Sequence, residues 1–339
     1  MTNKLVLITG ATGHVGFATL ITALKAGYNL RVSARRASQL KELESHPLVK
    51  PFASQFEGVL VPDITVPGAF DSALQGVTHV LHIASPILNP TNDPENDIVK
   101  PAVESTKSIL QSALKSTTLK RIVVTSTVVA IVPFDKLMSG NPDKVYDSDS
   151  RVRPLPTGPW SHPGKAYIDS KALALDYTDR FMADEGPRFS LVSIMPGVVV
   201  GPNRLYKNVG EMTAGGGSNG MILNVALGKK AEAFPVNVVG LSDVARVHVL
   251  ALDEAVVEGS DSFVLDCHRP SYDEINDVVA GAFPEAVRDG TFPLGGSQPG
   301  ADVRLDTEKT VRTFGPLDSY KHDVLDLFAQ YIELKKRDQ

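Results

Sequence analysis

The opening sixteen residues constrain this chain more than any other stretch. Leu5-Val-Leu-Ile-Thr9 is a short apolar run that passes directly into Gly10-Ala-Thr-Gly13-His-Val-Gly16, and a helix-like pattern follows to Ala26, where Gly27 stops it. The order is strand, tight turn, helix. In such a turn Gly10 permits the bend, Gly13 lets the backbone come close to a pyrophosphate held by helix N-terminal amides, and Gly16 lets helix and sheet pack tightly. The predicted dinucleotide contacts here are Gly10, Thr12, Gly13, His14, Val15 and Gly16.

The same alternation continues down the chain. Strands are predicted at 30–34, 57–61, 78–83, Arg121–Thr125 and Ser190–Met195, separated by helices at 38–44, 68–74, 94–116 and 165–184. This spacing implies right-handed crossovers, a parallel sheet and helices on both faces, hence an α/β, doubly wound, NAD(P)-binding Rossmann fold. Beyond Pro196 the alternation breaks down, because 201–220 is rich in Gly and Asn and 284–303 in Pro and Gly. Val236–Val239, the helix 242–254 and Ser262–Leu265 are expected to return to the main sheet. The predicted division is therefore a Rossmann domain of 1–199 and 233–267, with a smaller C-terminal substrate lobe of 200–232 and 268–339.

Composition narrows the function classes. With 339 residues at 42% hydrophobic, the chain can bury a large core without disulfides. A net charge of -5 and the lack of a long basic run argue against nucleic acid. Cys267 is the single cysteine, and the eight histidines show no ligating spacing, so no metal is expected. No apolar stretch reaches the roughly 18 residues of a membrane span, and the N-terminus lacks the order of a signal peptide, so the expected location is cytoplasmic.

The end of the second strand bears on the choice between NAD and NADP. An acidic residue there would accept from a ribose diol and repel a phosphate, but the chain offers Ser33-Ala34-Arg35-Arg36 and then Lys41. NADPH/NADP+ is predicted, with Arg35 as principal contact to the 2′-phosphate and Arg36 or Lys41 as helper. Asp63 and Ile64, after the third strand, are predicted to meet adenine. Ala84 and Ser85, after the fourth, are small enough to let a cofactor pass.

Tyr167-Ile-Asp-Ser-Lys171 sets a phenol and an ammonium four apart, on one helix face. Reducing a carbonyl needs a proton as well as a hydride, and a phenol with a reference pKa of about 10 serves near neutrality only beside a cation that stabilises its phenolate. Tyr167 is the predicted general acid, and Lys171 the cation, able also to reach the nicotinamide ribose. A hydroxyl at the end of the fifth strand should hold the substrate oxygen, and Thr125, Ser126 and Thr127 are all chemically adequate. Pro196-Gly197, followed by Val199, is predicted to wall the nicotinamide ring.

These residues resemble the extended short-chain dehydrogenase/reductase superfamily. The likeness runs through the glycine turn, Val77–Ala84, Lys100–Thr106, Arg121–Thr127, Tyr167–Lys171, Met195-Pro-Gly197 and Asp243–His248. Within it the chain is similar to the branch of dihydroflavonol reductases, cinnamoyl-CoA reductases and fungal aldehyde and methylglyoxal reductases. The resemblance implies Thr127 as the catalytic hydroxyl, where Ser is commoner, and matches Arg35 to the NADP-selecting arginine. Ser105 stands where the family usually has glycine, and the helix there offers no asparagine for the family's proton-relay extension. It also implies a largely apolar substrate pocket drawn from Pro86, Ile87, Asn89, Val128, Pro133, Trp160, His162 and Val198 to Tyr206.

The expected activity is that of an NADP-dependent oxidoreductase acting on CH–OH donors, a carbonyl reductase or alcohol dehydrogenase for a small aldehyde or ketone. Other readings are a dedicated biosynthetic ketone reductase for a flavonoid-like, polyketide or terpenoid substrate, a 3β-hydroxysteroid dehydrogenase or epimerase-type enzyme, and an NADPH-sensing binding protein. Either a monomer or a homodimer suits the sequence.

Overall fold

The computed structural model describes residues 4–338 except 86–90, 215, 216, 233 and 268–270. Pro86, Ile87 and Asn89, predicted for the substrate pocket, lie outside the described residues. The chain divides into two compact units, one of residues 1–134, 148–195 and 245–264, the other of 135–147, 196–244 and 265–339.

The first unit is built on a seven-stranded sheet. Its strands are β1 (Leu5–Thr9), β2 (Asn29–Ala34), β3 (Phe56–Leu60), β4 (His79–His82), β5 (Arg121–Thr125), β6 (Ser190–Pro196) and β7 (Asp261–Leu265). They lie in the order β7-β6-β5-β4-β1-β2-β3, and β1 to β6 pair in parallel. The order reverses between β1 and β4, so a crevice opens beyond their carboxyl ends, the place where doubly wound sheets bind ligands. Burial of β1 on both faces explains its nearly unbroken apolar run, while β4, equally buried, carries Val80-Leu81 between two histidines, and Leu7, Val80, Ile122 and Leu191 join Phe70, Ile109 and Phe181 in one core.

Four helices of this unit matter for the site: α1 (His14–Lys25), α2 (Ala37–Ser45), α3 (Lys100–Leu114) and α4 (Pro163–Glu185). The helix expected over 94–116 starts instead with a π turn at Glu95–Val99. Pro101 has no N–H to donate, and the Lys100 amide reaches back to the Glu95 carbonyl, five residues away. The helix expected at 68–74 is a succession of turns bounded by Gly68 and Gly76, both with positive φ. Phe70, Ala73 and Leu74 are buried there through turn hydrogen bonds rather than a helical ladder.

Arg121 at the start of β5 is 1% exposed, and its guanidinium spends all its bonds on local structure. It donates to Ser190 Oγ and to the carbonyls of Ala251, Asp253, Val257 and Gly259 at 2.6–3.1 Å, tying the 251–259 loop to the sheet.

The second unit has short parallel strand pairs: Val198–Val200 with Val238–Gly240, Phe234–Pro235 with Gly300–Ala301, and Asn141–Tyr146 with Val303–Leu305. These pairings account for two differences from the sequence expectation. The strand expected at Val236–Val239 does not join the main sheet, because its neighbour is Val198–Val200. Residues 135–147, expected in the first domain, group with the second unit because Asn141–Tyr146 pairs with a segment more than 150 positions later. The core of this unit gathers Val200, Ile222, Leu223, Phe292, Leu327 and Phe328. Its helix starts cap each other. Asp323 accepts from the Ser242 amide (2.9 Å) and hydroxyl (2.7 Å), while Asp243 accepts from the Ser319 amide (2.8 Å).

Among the described residues no helix is long and apolar enough to cross a membrane.

Candidate active site

The glycine turn leaves β1 beside the switch point. Gly10 has φ +78°, and a Cβ on it would stand 2.6 Å from the Ala84 amide nitrogen. A Cβ on Gly16 would stand 2.0 Å from the Gly10 carbonyl oxygen, whereas one on Gly13 would meet that oxygen only at 3.4 Å. The Gly13 amide donates to the Gly10 carbonyl (2.9 Å), closing the turn. Among the described residues no side chain caps the α1 N-terminus, and no acidic residue lies in its first turn, so the positive end of the helix is available to an anion. Thr12 and Gly13 are exposed and His14 and Val15 half-buried around this cradle. Such a cradle fits a dinucleotide pyrophosphate.

Arg35, Arg36 and Lys41 are exposed at the end of β2 and on α2, and their side chains have no ion pair among the described residues. The Arg36 backbone amide is held by Gln39 Oε1 (3.2 Å), which fixes the start of α2. Three cations without an internal counter-charge suit a 2′-phosphate. Asp63, exposed after β3, accepts from the Thr65 amide (2.8 Å) and hydroxyl (2.6 Å), and these bonds hold its carboxyl below the usual range. Ile64 packs partly against the main core.

The sheet register sets Thr9 directly beside His82. Thr9 Oγ1 accepts from the amides of Ile83 (3.2 Å) and Ala84 (3.0 Å), so its own proton goes to His82 Nδ1 (3.0 Å), and the neutral imidazole carries its hydrogen on Nε2. Burial, reinforced by the Lys171 charge, pushes His82 down to about 4. The network thus fixes Ala84 and Ser85 at the mouth of the crevice.

On α4, Lys171 Nζ lies 5.1 Å from the Tyr167 ring centroid and donates to Ser85 Oγ (2.6 Å). Both side chains of the Tyr-x-x-x-Lys pair are half-buried, Tyr167 packing on Ile98, Val99 and Ala166. Behind Lys171 a small recess, with room for a few waters, is lined by His82, Ser105, Thr106, Thr125, Ser126, Thr178 and Ser193.

The three hydroxyls after β5 differ in their engagements. Thr125 Oγ1 pairs with His248 Nε2 (2.7 Å), the Ser126 amide donates to the Ile194 carbonyl (2.7 Å), and Thr127 Oγ1 accepts from the Val129 amide (3.4 Å). Val128 is buried and Pro133 half-buried. Trp160 donates from Nε1 to Asp169 (2.8 Å) and packs with Tyr167 on Ile98, Val99 and Ala166. His162 caps α4, its Nδ1 accepting from the amides of Gly164 (3.1 Å) and Lys165 (3.3 Å). His162, expected at the substrate pocket, thus uses this ring nitrogen to start the helix.

The first unit therefore brings together Gly10–Gly16, Ala84, Ser85, Thr125, Ser126, Tyr167 and Lys171. In the second unit, a Cβ on Gly197 would stand 2.4 Å from the Asn237 carbonyl oxygen, to which the Val198 amide donates (2.7 Å). Close strand approach explains that glycine within its own unit. Val198 and Tyr206 pack partly on the second core, and Val199 is 8% exposed.

Sequence reasoning passed over Thr9, His82 and His248 as site components. The available signal was a polar residue ending an apolar strand at its carboxyl end, which is where Thr9 and His82 both stand.

The sequence pattern of the NAD dependent epimerase/dehydratase family matches residues 6–264. Among curated proteins, the ketoreductase CTB6 of Cercospora beticola is 34% identical, covering 100% of this chain and 98% of its own. The NAD-dependent epimerase/dehydratase ALT6 of Alternaria alternata is 38% identical, covering 83% of each. Among solved structures, yeast methylglyoxal/isovaleraldehyde reductase Gre2 complexed with NADPH superposes with a TM-score of 0.80 over 98% of this chain and 99% of that one, at 23% identity, a likeness of fold.

Proposed function

Since the chain belongs to the NAD dependent epimerase/dehydratase family, within the extended short-chain dehydrogenase/reductase superfamily, we propose that it is an NADPH-dependent carbonyl reductase converting an aldehyde or ketone to the alcohol. The observation that carries the reading is the Lys171 ammonium, poised over the Tyr167 ring and steadied by Ser85 at the switch-point crevice. Ketoreductases among the full-length relatives support a ketone as substrate.

The turn Gly10–Gly16, with the α1 N-terminus, would hold the pyrophosphate, and Arg35, aided by Arg36 or Lys41, the 2′-phosphate. A bound NADPH supplies the hydride. Thr127, whose Oγ1 accepts from the Val129 amide, turns its O–H to the carbonyl oxygen and polarises it. Tyr167 then gives its phenolic proton to that oxygen, and the Lys171 charge stabilises the phenolate left behind. Ser85 accepts from Lys171 and prevents the ammonium from swinging away from the phenol. The recess behind Lys171 offers water-sized room, and water there would return a proton to the phenolate by way of the Lys171 ammonium.

The test follows NADPH oxidation against aromatic ketones, α-diketones, β-keto esters and aliphatic aldehydes. Tyr167→Phe should abolish turnover and keep NADPH affinity, and turnover retained in that variant would refute the role. NADH preferred over NADPH would overturn the cofactor assignment, and a tightly retained NAD with sugar-nucleotide turnover would favour epimerase chemistry instead.

A further inference from the structure

Trp160 is the only tryptophan of the chain, and its indole is held on several sides. Nε1 donates to Asp169 Oδ2 at 2.8 Å, and the ring packs on Ile98, Val99 and Ala166, the cluster against which Tyr167 also packs. Gly158 lies against the indole so closely that a Cβ there would stand 3.1 Å from ring carbons Cε3 and Cζ3. The ring nevertheless stays half-buried, which leaves part of it open.

Asp169 is 3% exposed and sits two residues after Tyr167, inside the Tyr-x-x-x-Lys segment. A buried carboxylate is costly unless it is paired, and here Lys165, one turn earlier, supplies the counter-charge to the same oxygen that receives the indole. Lys165 itself stands over the Phe134 ring, 5.6 Å from its centroid. The pairing compensates the charge, so the carboxylate is left as a fixed acceptor. The indole is thereby fastened to the same helix that carries the proton donor, and the two rings keep one mutual position.

We propose that Asp169 is a positioning residue that locks Trp160 as a rigid aromatic wall beside Tyr167, so that the protein favours flat aromatic ketones over small aliphatic carbonyls. An immobilised ring loses no rotamer freedom when a second ring stacks on it, whereas a mobile one must be ordered first. The substrate preference rests on the carbonyl reductase reading; the locking of the indole does not. A ring anchored in this way also orients a bound aryl ketone relative to the phenol, because stacking is directional.

The test compares wild type, Asp169→Ala, Asp169→Asn and Trp160→Leu, with folding checked by circular dichroism. Acetophenone and 2,3-butanedione serve as the aromatic and aliphatic probes. Asp169→Ala and Trp160→Leu should each lower the ratio of kcat/KM for acetophenone to that for butanedione by about tenfold, mainly through the KM for acetophenone. Asp169→Asn keeps an oxygen for the indole and should retain most of the ratio. Because Trp160 is the sole tryptophan, its emission reports the lock directly. Asp169→Ala should lower its anisotropy and shift emission to the red, and saturable quenching by acetophenone should weaken. A ratio unchanged in Asp169→Ala, equal losses for both probes, or no quenching of the wild type would overturn the proposal. If no carbonyl drives NADPH oxidation while acetophenone still quenches the wild type and not Asp169→Ala, the reductase reading falls and the anchored aromatic seat stands.

Discussion

Gly16→Ala is the substitution whose outcome follows most directly from the geometry. A Cβ at 16 would stand 2.0 Å from the Gly10 carbonyl oxygen and 2.5 Å from its carbonyl carbon, and ordinary contact begins at 3.4 Å. Both obstacles are backbone, so no side chain can step aside, and the start of α1 must withdraw by about 1.4 Å, the difference between 3.4 and 2.0 Å. Overpacking of this kind costs about 1–3 kcal/mol of stability. Withdrawal also carries the helix N-terminal amides out of hydrogen-bonding range of a pyrophosphate. Losing one or two charge-assisted bonds, at about 1.5–3 kcal/mol each, weakens NADPH binding by about tenfold or more. Gly27→Ala is the control. Gly27 has φ +85° but, among the described residues, nothing within 4 Å of a Cβ, so its variant carries only about 1–2 kcal/mol of backbone strain and should leave the NADPH Kd unaltered. Titration calorimetry with NADPH, alongside thermal melts, separates the two. If Gly16→Ala binds NADPH within about threefold of wild type, the close-packed cradle is not what holds the cofactor.

The buried imidazole gives a pH signature. His82 is held near a pKa of about 4, below its ordinary 6.5, so between those values the unfolded chain binds a proton that the folded chain refuses. The stability this confers is complete above 6.5 and is lost as pH falls towards 4. Over the two pH units from 6.5 to 4.5 it amounts to about 2–3 kcal/mol, and urea unfolding at pH 7.5 and 4.5 should show His82→Gln losing that much less than wild type on acidification. An equal acid loss in both proteins would contradict the burial argument. Arg121→Met should destabilise by about 4 kcal/mol or more in denaturant unfolding, because four loop carbonyls lose their donor, and Arg121→Lys should recover only part of this with three donors in place of five. Arg35→Ala should raise the KM for NADPH by about ten- to a hundredfold with the KM for NADH little altered, and equal effects on both would remove the arginine from the 2′-phosphate.

Local chemistry makes much of this protein legible in its sequence. A glycine that must bend, one that must admit a ligand and one that must admit a helix can be recognised from spacing alone, because each demand is met within a few bonds of the residue. The strands β1 and β5 are equally plain, each built on a run of apolar residues that only a doubly covered sheet accommodates. Tyr167 and Lys171 share a helix face by arithmetic. The turn succession at 68–76 is less legible, since Phe70, Ala73 and Leu74 carry a helical spacing although their hydrogen bonds are those of turns.

The alternating strands and helices, the phosphate cradle and the phenol–ammonium pair are therefore written in the order of residues, all set by interactions between near neighbours. It took the folded chain to bring Thr9 to His82, Lys171 to Ser85 across 86 positions and Asn141–Tyr146 to Val303–Leu305, and to set His162 at a helix start and Asp169 on the indole. Apart from the last two, these meetings join residues far apart along the chain. Strand register and packing choose among the many hydroxyls, carboxylates and imidazoles that local spacing leaves equivalent, and neither is written in any short window of residues.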